Sequence, residues 1–254
     1  AEITIGNVVG SNILNILIIL GISALVYPLV VAKTTIWADI PVMIGATILL
    51  FALGYDGTVS RLDAVILLVF FVAYLGFLFY LTKKNQAAEK LLSSSDIEKE
   101  EDSKPEKVFS LPKAILLTVV GLAFIILGSN FCVDSATAIA RMLGLSERFI
   151  GLTIVALGTS LPELFTSVSA SIKKNSDIAI GNIVGSNIFN ILFIVGLSGL
   201  IIPVPFVEAF RFDTIIALAA AVLLFLFALP KKRLSKISGI IMLLSYAIYF
   251  IVIL

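Results

Sequence analysis

The sequence contains no histidine and a single cysteine, Cys132, among its 254 residues. The absence of histidine removes the commonest transition-metal ligand and the usual proton relay near neutral pH. One cysteine excludes an internal disulfide and a cysteine-rich metal site. Any ion site in this chain must therefore be built from oxygen atoms, which suit hard cations such as Na⁺ and Ca²⁺.

Charged residues are also scarce, at 14% of the chain, whereas 59% of the residues are hydrophobic. Soluble domains are about 45–50% apolar and about 25% charged. A soluble core could not hide so much apolar surface, so the composition predicts an all-α integral membrane protein whose partner is the lipid bilayer. Nothing in the sequence indicates an enzyme, a cofactor or a nucleic-acid partner, and nothing in it defines an oligomeric state.

Apolar segments long enough to cross a bilayer, about 20 residues each, recur along the chain. Eight such transmembrane helices are predicted: 3–27, 36–54, 62–81, 111–140, 149–171, 178–202, 213–229 and 237–254. A polar stretch separates the third from the fourth and predicts a flexible or weakly helical linker. The chain is thus divided into residues 1–81, the linker 82–110 and residues 111–254.

Basic residues are distributed unevenly between the two sides that alternate loops define. Fourteen lie on one side and four on the other, and the loops rich in Lys and Arg face the cytoplasm. The sequence therefore predicts a multi-pass protein of the cell membrane with a cytoplasmic linker. Both ends of the chain are expected outside, which makes the C-terminus extracellular or periplasmic.

An internal repeat is visible in the sequence. GNVVGSNILNILIILGIS, which starts at Gly6, matches GNIVGSNIFNILFIVGLS, which starts at Gly181, at a constant offset of 175 positions. The topology above takes the two copies through the membrane in opposite directions, and inverted repeats around a midplane site are typical of secondary transporters. Two helices precede the second copy and two follow each copy. The pattern predicts a fold of five plus five helices, of which eight are present.

The stretch GLTIVALGTSLPE, residues 151–163, puts a carboxylate in the middle of an otherwise apolar helix. Ionisable residues at such depth are costly and usually functional. Pro162 has no N–H, so the carbonyl of Gly158 loses its helical hydrogen bond. Thr159 and Glu163 are four residues apart and share one helix face. These oxygens together suit a hard cation, and the alternative is a kinked helix in which Glu163 pairs with a buried arginine.

Each copy of the repeat also carries Ser and Asn four residues apart, Ser11 with Asn15 and Ser186 with Asn190. Each pair offers a hydroxyl and an amide oxygen on one helix face, so we expect both pairs to contribute cation ligands. The alternative is packing, because glycines four residues apart let helices approach closely and Asn side chains bond between them. The other Asn residues of the motif are expected to hold the neighbouring broken helix: Asn7, Asn12, Asn182 and Asn187.

These motifs resemble the α-repeats of the calcium/cation antiporter superfamily, and within it the prokaryotic sodium/calcium exchangers. GLTIVALGTSLPE with GNIVGSNIFN is similar to the second α-repeat, and GNVVGSNILN is similar to the second half of the first. The resemblance implies an antiporter that exchanges Na⁺ for Ca²⁺ by alternating access at the repeat interface. It implies as ligands the carbonyl of Ala156 and the side chains of Thr159, Ser160, Glu163, Ser186, Asn190, Ser11 and Asn15.

The resemblance also implies a matching Ala, Thr, Ser and Glu on a helix before residue 1, so that the chain would be truncated within its first repeat. Some relatives, potassium-dependent exchangers among them, carry Asp at the position of Asn190. Both copies here carry Asn, which argues against potassium dependence. Two other interpretations remain open: a Ca²⁺/H⁺ antiporter of the same superfamily, and a non-transporting membrane receptor or assembly subunit that keeps helix-packing motifs.

Overall fold

The structure is a computed structural model that describes residues 2–93, 111–144 and 150–253. These residues form a bundle of helices with two small antiparallel sheets. Seven helical spans within them are long and apolar enough to cross a membrane. The prediction of a helical, multi-pass membrane protein is confirmed at this level.

The elements up to the linker are α1 (Glu2–Leu14), π1 (Asn15–Leu20), α2 (Gly21–Val26), β1 (Leu29–Val30), π2 (Thr35–Asp39), α3 (Ile40–Leu53), β2 (Thr58–Val59) and α4 (Arg61–Ser93). Here π marks a π-helical segment. The elements after the linker are α5 (Leu111–Met142), π3 (Gly151–Val155), α6 (Ala156–Thr159), α7 (Leu161–Ile172), α8 (Ser176–Phe189), π4 (Asn190–Val195), α9 (Gly196–Ile201), β3 (Val204–Pro205), α10 (Glu208–Ala228), β4 (Arg233–Leu234) and α11 (Lys236–Ile253).

Two predicted segments differ from the structure. Helix α4 continues to Ser93, so the first part of the expected linker is helical, and its remainder, 94–110, lies outside the described residues. The expected span 149–171 is not one of the seven long spans, because its described part is divided into π3, α6 and α7. Pro162, in the first turn of α7, interrupts the helix inside this segment.

The two copies of the repeat have the same local structure. π1 and π4 begin at Asn15 and Asn190, and α2 with α9, β1 with β3 and β2 with β4 begin at the same offset of 175. The halves differ between their strands, where π2 and α3 of the first half correspond to the single helix α10 of the second. The spans that contain the two copies, Thr4–Val26 and Ser176–Ile201, are the most buried of the seven. The polar motif therefore lies at the centre of the bundle, where protein instead of lipid surrounds it.

The two halves pack on each other in a crossed manner. Strand β1 pairs with β4, placing Leu29 opposite Leu234, and β2 pairs with β3, placing Val59 opposite Val204. Exchanging the two copies turns one pairing into the other, since Leu29 and Val204, like Val59 and Leu234, are 175 positions apart. The helices follow the same rule, since α4 packs against π4 and α9, while α11 packs against π1 and α2. The helices that follow one copy of the repeat thus support the other copy.

Candidate cation-binding site

The helix that carries Glu163 is interrupted just before it. Helix α6 ends at Thr159, and Ser160 leaves the helical conformation with φ −94° and ψ 2°. Helix α7 then starts at Leu161, with Pro162 in its first turn. Because proline lacks an N–H and its ring clashes with the preceding turn, the helix cannot continue through it. The two side chains that the sequence placed on one continuous face, Thr159 and Glu163, therefore lie on either side of a break.

A neighbouring helix binds the carbonyl of Gly158 at this break. The hydroxyl of Ser129 on α5 donates a hydrogen bond to that oxygen, as a buried carbonyl without a helical partner requires. Helix α5 approaches so closely that a Cβ on Gly158 would overlap the side chain of Val133. Glycine is therefore needed at this position, and α5 holds the broken helix.

Glu163 lines a cavity of about 150 Å³ at the break. Five of the predicted ligand residues line it: Ser11, Thr159, Ser160, Glu163 and Asn190. They come from three separate places in the chain, which are α1, the break between α6 and α7, and the start of π4. The fold thus brings together polar residues from both copies of the repeat.

A second cavity, of about 430 Å³, lies on the α8 side of Glu163. Ser186 and Asn190 line it together with Gly181 and Gly185, and a Cβ on either glycine would meet no atom within 4 Å. The hydroxyl of Ser186 donates to Oε1 of Glu163 at 3.3 Å. The carboxylate therefore borders both cavities.

Three predicted ligands form one oxygen cluster where α1 meets α6. Ser11 Oγ lies 3.2 Å from Thr159 Oγ1. The two hydroxyls lie 3.4 and 3.2 Å, respectively, from the carbonyl oxygen of Ala156. Thr159 Oγ1 also donates to Oδ1 of Asn7 at 2.9 Å. Asn7 therefore holds the broken helix, as the sequence analysis expected.

Two buried oxygens of the predicted ligand set, Glu163 Oε2 and Asn15 Oδ1, have no hydrogen-bond donor among the described residues. Leaving a buried acceptor without a partner costs about 1–3 kcal/mol, and a bound cation can satisfy such an oxygen. The absence of a donor at Oε2, within the described part of the chain, also counts against the alternative in which a buried arginine pairs with Glu163. The same part holds no group of three or more Asp, Glu, His or Cys that could bind a metal. A cation here would depend on one carboxylate with hydroxyl, amide and carbonyl oxygens.

Four asparagines connect the two copies at the centre of the bundle. Asn12 and Asn187 each donate to the other's backbone carbonyl at 3.2 Å. Asn15 donates to Oδ1 of Asn187 at 2.8 Å, and Asn190 donates to Oδ1 of Asn12 at 3.1 Å. Every bond recurs with the copies exchanged. Asn12 and Asn187 thus bind each other across the two copies. The expectation that they bind the neighbouring broken helix was wrong for these two residues.

Asn15 and Asn190 differ in their surroundings despite their equivalent positions. Asn190 lines both cavities beside Glu163, whereas Asn15 lines neither. Each begins a π-helical segment, π1 or π4. Such wide turns are frequent at functional sites, and the sequence analysis did not predict them.

Two carboxylates outside the cavities were also missed. Glu163 stands out in the sequence as a carboxylate in the middle of an apolar helix, but Asp213 on α10 is fully buried and Asp39 on π2 is partly buried. Tyr74 and Tyr249 donate hydrogen bonds to these two aspartates. The tyrosines are 175 positions apart and the aspartates 174, so the offset could have revealed them, allowing for a shift of one residue.

A bundle of apolar spans with buried oxygens at its centre defines a helical membrane protein with a polar, cation-compatible site. Comparison with known proteins agrees with this class. A model of the family described as sodium/calcium exchanger protein matches residues 1–80 and 113–254. The chain therefore belongs to the sodium/calcium exchanger protein family, which confirms the resemblance seen in the sequence motifs.

Individual relatives are similar over most of the chain. The putative antiporter CaxA of Alkalimonas amylolytica is 35% identical over 98% of this chain and 77% of that protein. The inner membrane protein YrbG of Escherichia coli is 38% identical over 80% of this chain and 61% of that protein. A solved structure of the sodium-calcium exchanger NCX_Mj superposes with a TM-score of 0.74 at 33% identity, over 97% of this chain and 76% of that one.

Proposed function

We propose that this protein is a secondary active antiporter that exchanges Na⁺ for Ca²⁺ at the two cavities that Glu163 lines. The observation that carries the proposal is that two buried oxygens, Glu163 Oε2 beside the two cavities and Asn15 Oδ1 outside them, have no hydrogen-bond donor among the described residues. Hard cations bind oxygen ligands, and both oxygens belong to the set that the sequence predicted. The proposed ligands are Ala156, Thr159, Ser160, Glu163, Ser186, Asn190, Ser11 and Asn15.

The site also has a chemistry that suits exchange. Its charge comes from one carboxylate in the described residues, surrounded by neutral hydroxyl, amide and carbonyl oxygens. Na⁺ and Ca²⁺ would compete for these same oxygens, and binding of one repels the other. Competition for a single site is what couples the movement of two ions in opposite directions.

The crossed packing of the two halves supports alternating access as the transport mechanism. Contacts that recur with the copies exchanged describe an approximate two-fold relation, as in the reciprocal bonds of Asn12 and Asn187. With the copies inverted in the membrane, the same relation would interchange an inward-open and an outward-open state. We place the site near the midplane, the linker in the cytoplasm and the C-terminus outside.

The surface of α8 around Gly181 and Gly185 borders an open cavity, whereas the equivalent surface of α1 is covered by another helix. Helix α6 packs on α1, where Ser11 lies 3.4 Å from the carbonyl oxygen of Ala156. The corresponding surface of α8, around Ser186, borders the 430 Å³ cavity. We propose that a helix equivalent to α6 and α7, bearing a second carboxylate, packs there in the functional transporter.

The proposed function is tested with the purified protein in lipid vesicles. Vesicles loaded with Na⁺ and diluted into Na⁺-free medium should take up radioactive Ca²⁺, and equal Na⁺ on both sides should abolish the uptake. Uptake driven by a pH gradient and indifferent to Na⁺ would favour the Ca²⁺/H⁺ antiporter. No uptake under either gradient would favour the non-transporting alternative.

A further inference from the structure

Two aspartate–tyrosine pairs lie outside the proposed cation site. Tyr74 Oη on α4 donates to Oδ1 of Asp39 on π2 at 3.2 Å. Tyr249 Oη on α11 donates to Oδ1 of Asp213 on α10 at 3.1 Å. The two tyrosines are equivalent positions of the repeat, and each pair joins the two helices that follow one copy of it.

A carboxylate within a membrane span is costly and requires an explanation. Asp213 is fully buried, and its tyrosine partner is 4% exposed. Neither aspartate lines a cavity beside Glu163, so ion coordination does not explain them. Their recurrence in both halves, at 174 positions apart instead of 175, indicates a role that both halves need.

Each pair joins two helices, and these helices pack against the π-helical turn of the opposite copy. That turn begins with a proposed ligand, Asn190 in π4 or Asn15 in π1. In the first half, α3 and α4 pack against π4, which begins at Asn190. The ring of Phe71, one turn before Tyr74, lies 5.7 Å from the ring of Phe189 and 5.1 Å from that of Phe193. These two rings lie on either side of Asn190 along the chain, so a movement of α4 would shift its backbone.

The second half repeats this arrangement around Asn15. Helices α10 and α11 pack against π1, which begins at Asn15. Tyr249 shares an apolar pocket with Leu17, two residues after Asn15. Tyr74 shares an equivalent pocket with Leu192, two residues after Asn190. In both halves the tyrosine of the pair therefore lies beside the π-helical turn of the opposite copy.

We infer that Asp39–Tyr74 and Asp213–Tyr249 are positioning pairs that set the place of the proposed ligands across the molecule, Asp39–Tyr74 for Asn190 and Asp213–Tyr249 for Asn15. The inference rests on the proposed function in one respect, since it assigns these asparagines to the cation site. Each hydrogen bond fixes two helices relative to each other, and the fixed helices hold the turn. Loss of the bond loosens the ligand without removing it.

The crossed relation gives a test that a general loss of stability would not satisfy. Tyr74→Phe removes one hydroxyl and keeps the ring. It should raise the Na⁺ and Ca²⁺ concentrations for half-maximal exchange about three- to tenfold, the range expected for one hydrogen bond, while the maximal rate changes less. Asp39→Asn keeps an acceptor for the tyrosine and should be close to the parent. Tyr80→Phe, on the exposed side of α4, is the matched control.

Double substitutions then separate the two pairs. Tyr74→Phe should be non-additive with Asn190→Ala and additive with Asn15→Ala, and Tyr249→Phe should show the reverse. The same cycles are read from the rise in unfolding temperature that Ca²⁺ causes, which needs no transport. Additive effects of Tyr74→Phe with Asn190→Ala and of Tyr249→Phe with Asn15→Ala would overturn the inference. Equal coupling of each tyrosine to both asparagines would also overturn it. Absence of Na⁺-driven uptake by the parent, measured first, would instead contradict the proposed function.

Discussion

Asn12 and Asn187, equivalent residues of the two copies, each donate a side-chain amide to the other's backbone carbonyl at 3.2 Å. Both side chains are buried, at 3% and 0% exposure. The four bonds of this asparagine network join the two most buried spans at the point where the copies cross. Because the bonds are reciprocal, each residue both positions its equivalent and is positioned by it.

Loss of either asparagine should therefore destabilise the whole bundle. Asn187→Ala removes the side-chain donor to the carbonyl of Asn12 and the acceptor of the Asn15 amide. A buried polar group left without its partner costs about 1–3 kcal/mol. Thermal unfolding in detergent should show a lower midpoint than for Asn130→Ala, a control on the exposed face of α5. The double variant with Asn12→Ala should be less than additive. A midpoint equal to that of the control would contradict this role for the network.

Glu163 should be essential for cation binding. Glu163→Gln keeps the shape of the side chain and its contact with Ser186 but removes the negative charge. At an effective dielectric constant of about 20, a unit charge 4 Å from another contributes about 4 kcal/mol, so Ca²⁺ affinity should fall at least about 100-fold. Sodium-driven Ca²⁺ uptake provides the measurement.

The matched control for Glu163→Gln is Glu208→Gln, the same chemical change at the exposed start of α10. It should transport like the parent. Equal uptake by the two variants would mean that the charge of Glu163 does not serve the ion.

Much of the molecule could be predicted from the sequence, because the repeat and the apolar spans are local patterns. Pro162 predicted the lost helical hydrogen bond at Gly158 but not the division of the span at Ser160, and the residues around Glu163 followed from the motif. The π-helical turns at Asn15 and Asn190 could not be predicted in this way, since one wider turn leaves no distinct spacing in a segment that is apolar throughout. The carboxylates Asp39 and Asp213 were overlooked because a one-residue shift after the copies conceals their equivalence.

The close contact between α5 and the break predicts a specific rescue. Gly158→Ala should abolish uptake, because its Cβ would overlap Val133. Val133→Ala removes the clashing methyl groups, so the double variant should recover part of the activity and of the folded yield. The control is Gly121→Ala on α5, the helix that carries Val133. The added Cβ at Gly121 has no atom within 4 Å, so this variant should behave like the parent. Activity of Gly158→Ala without the second change would contradict the close contact between Gly158 and Val133.

Ser129 should contribute to the same break by a different mechanism. Ser129→Ala removes the donor to the carbonyl of Gly158 without adding volume. A buried acceptor left without a partner costs about 1–3 kcal/mol, so the unfolding midpoint should fall. Ser129→Thr, which retains the hydroxyl, should restore most of it. Unfolding midpoints that do not depend on the hydroxyl would show that another group satisfies the carbonyl.

Asn190→Asp tests the ligand and the asparagine network together. The amide of Asn190 donates to Oδ1 of Asn12 at 3.1 Å, and a charged carboxylate in its place would face that oxygen with no proton to give. It would also add a second negative charge beside Glu163. We expect slower Na⁺/Ca²⁺ exchange at neutral pH, or a new requirement for a further cation such as K⁺.

Protonation gives the new aspartate a donor again and removes the extra charge, so lowering the pH should restore part of the exchange. Uptake measured across pH, with and without K⁺, distinguishes these effects from simple misfolding, which neither condition would reverse. Asn190→Ala, which lacks both the donor and the charge, is the control and should respond to neither. An exchange rate that Asn190→Asp leaves unchanged at every pH and K⁺ concentration would place the side chain away from the transported ion.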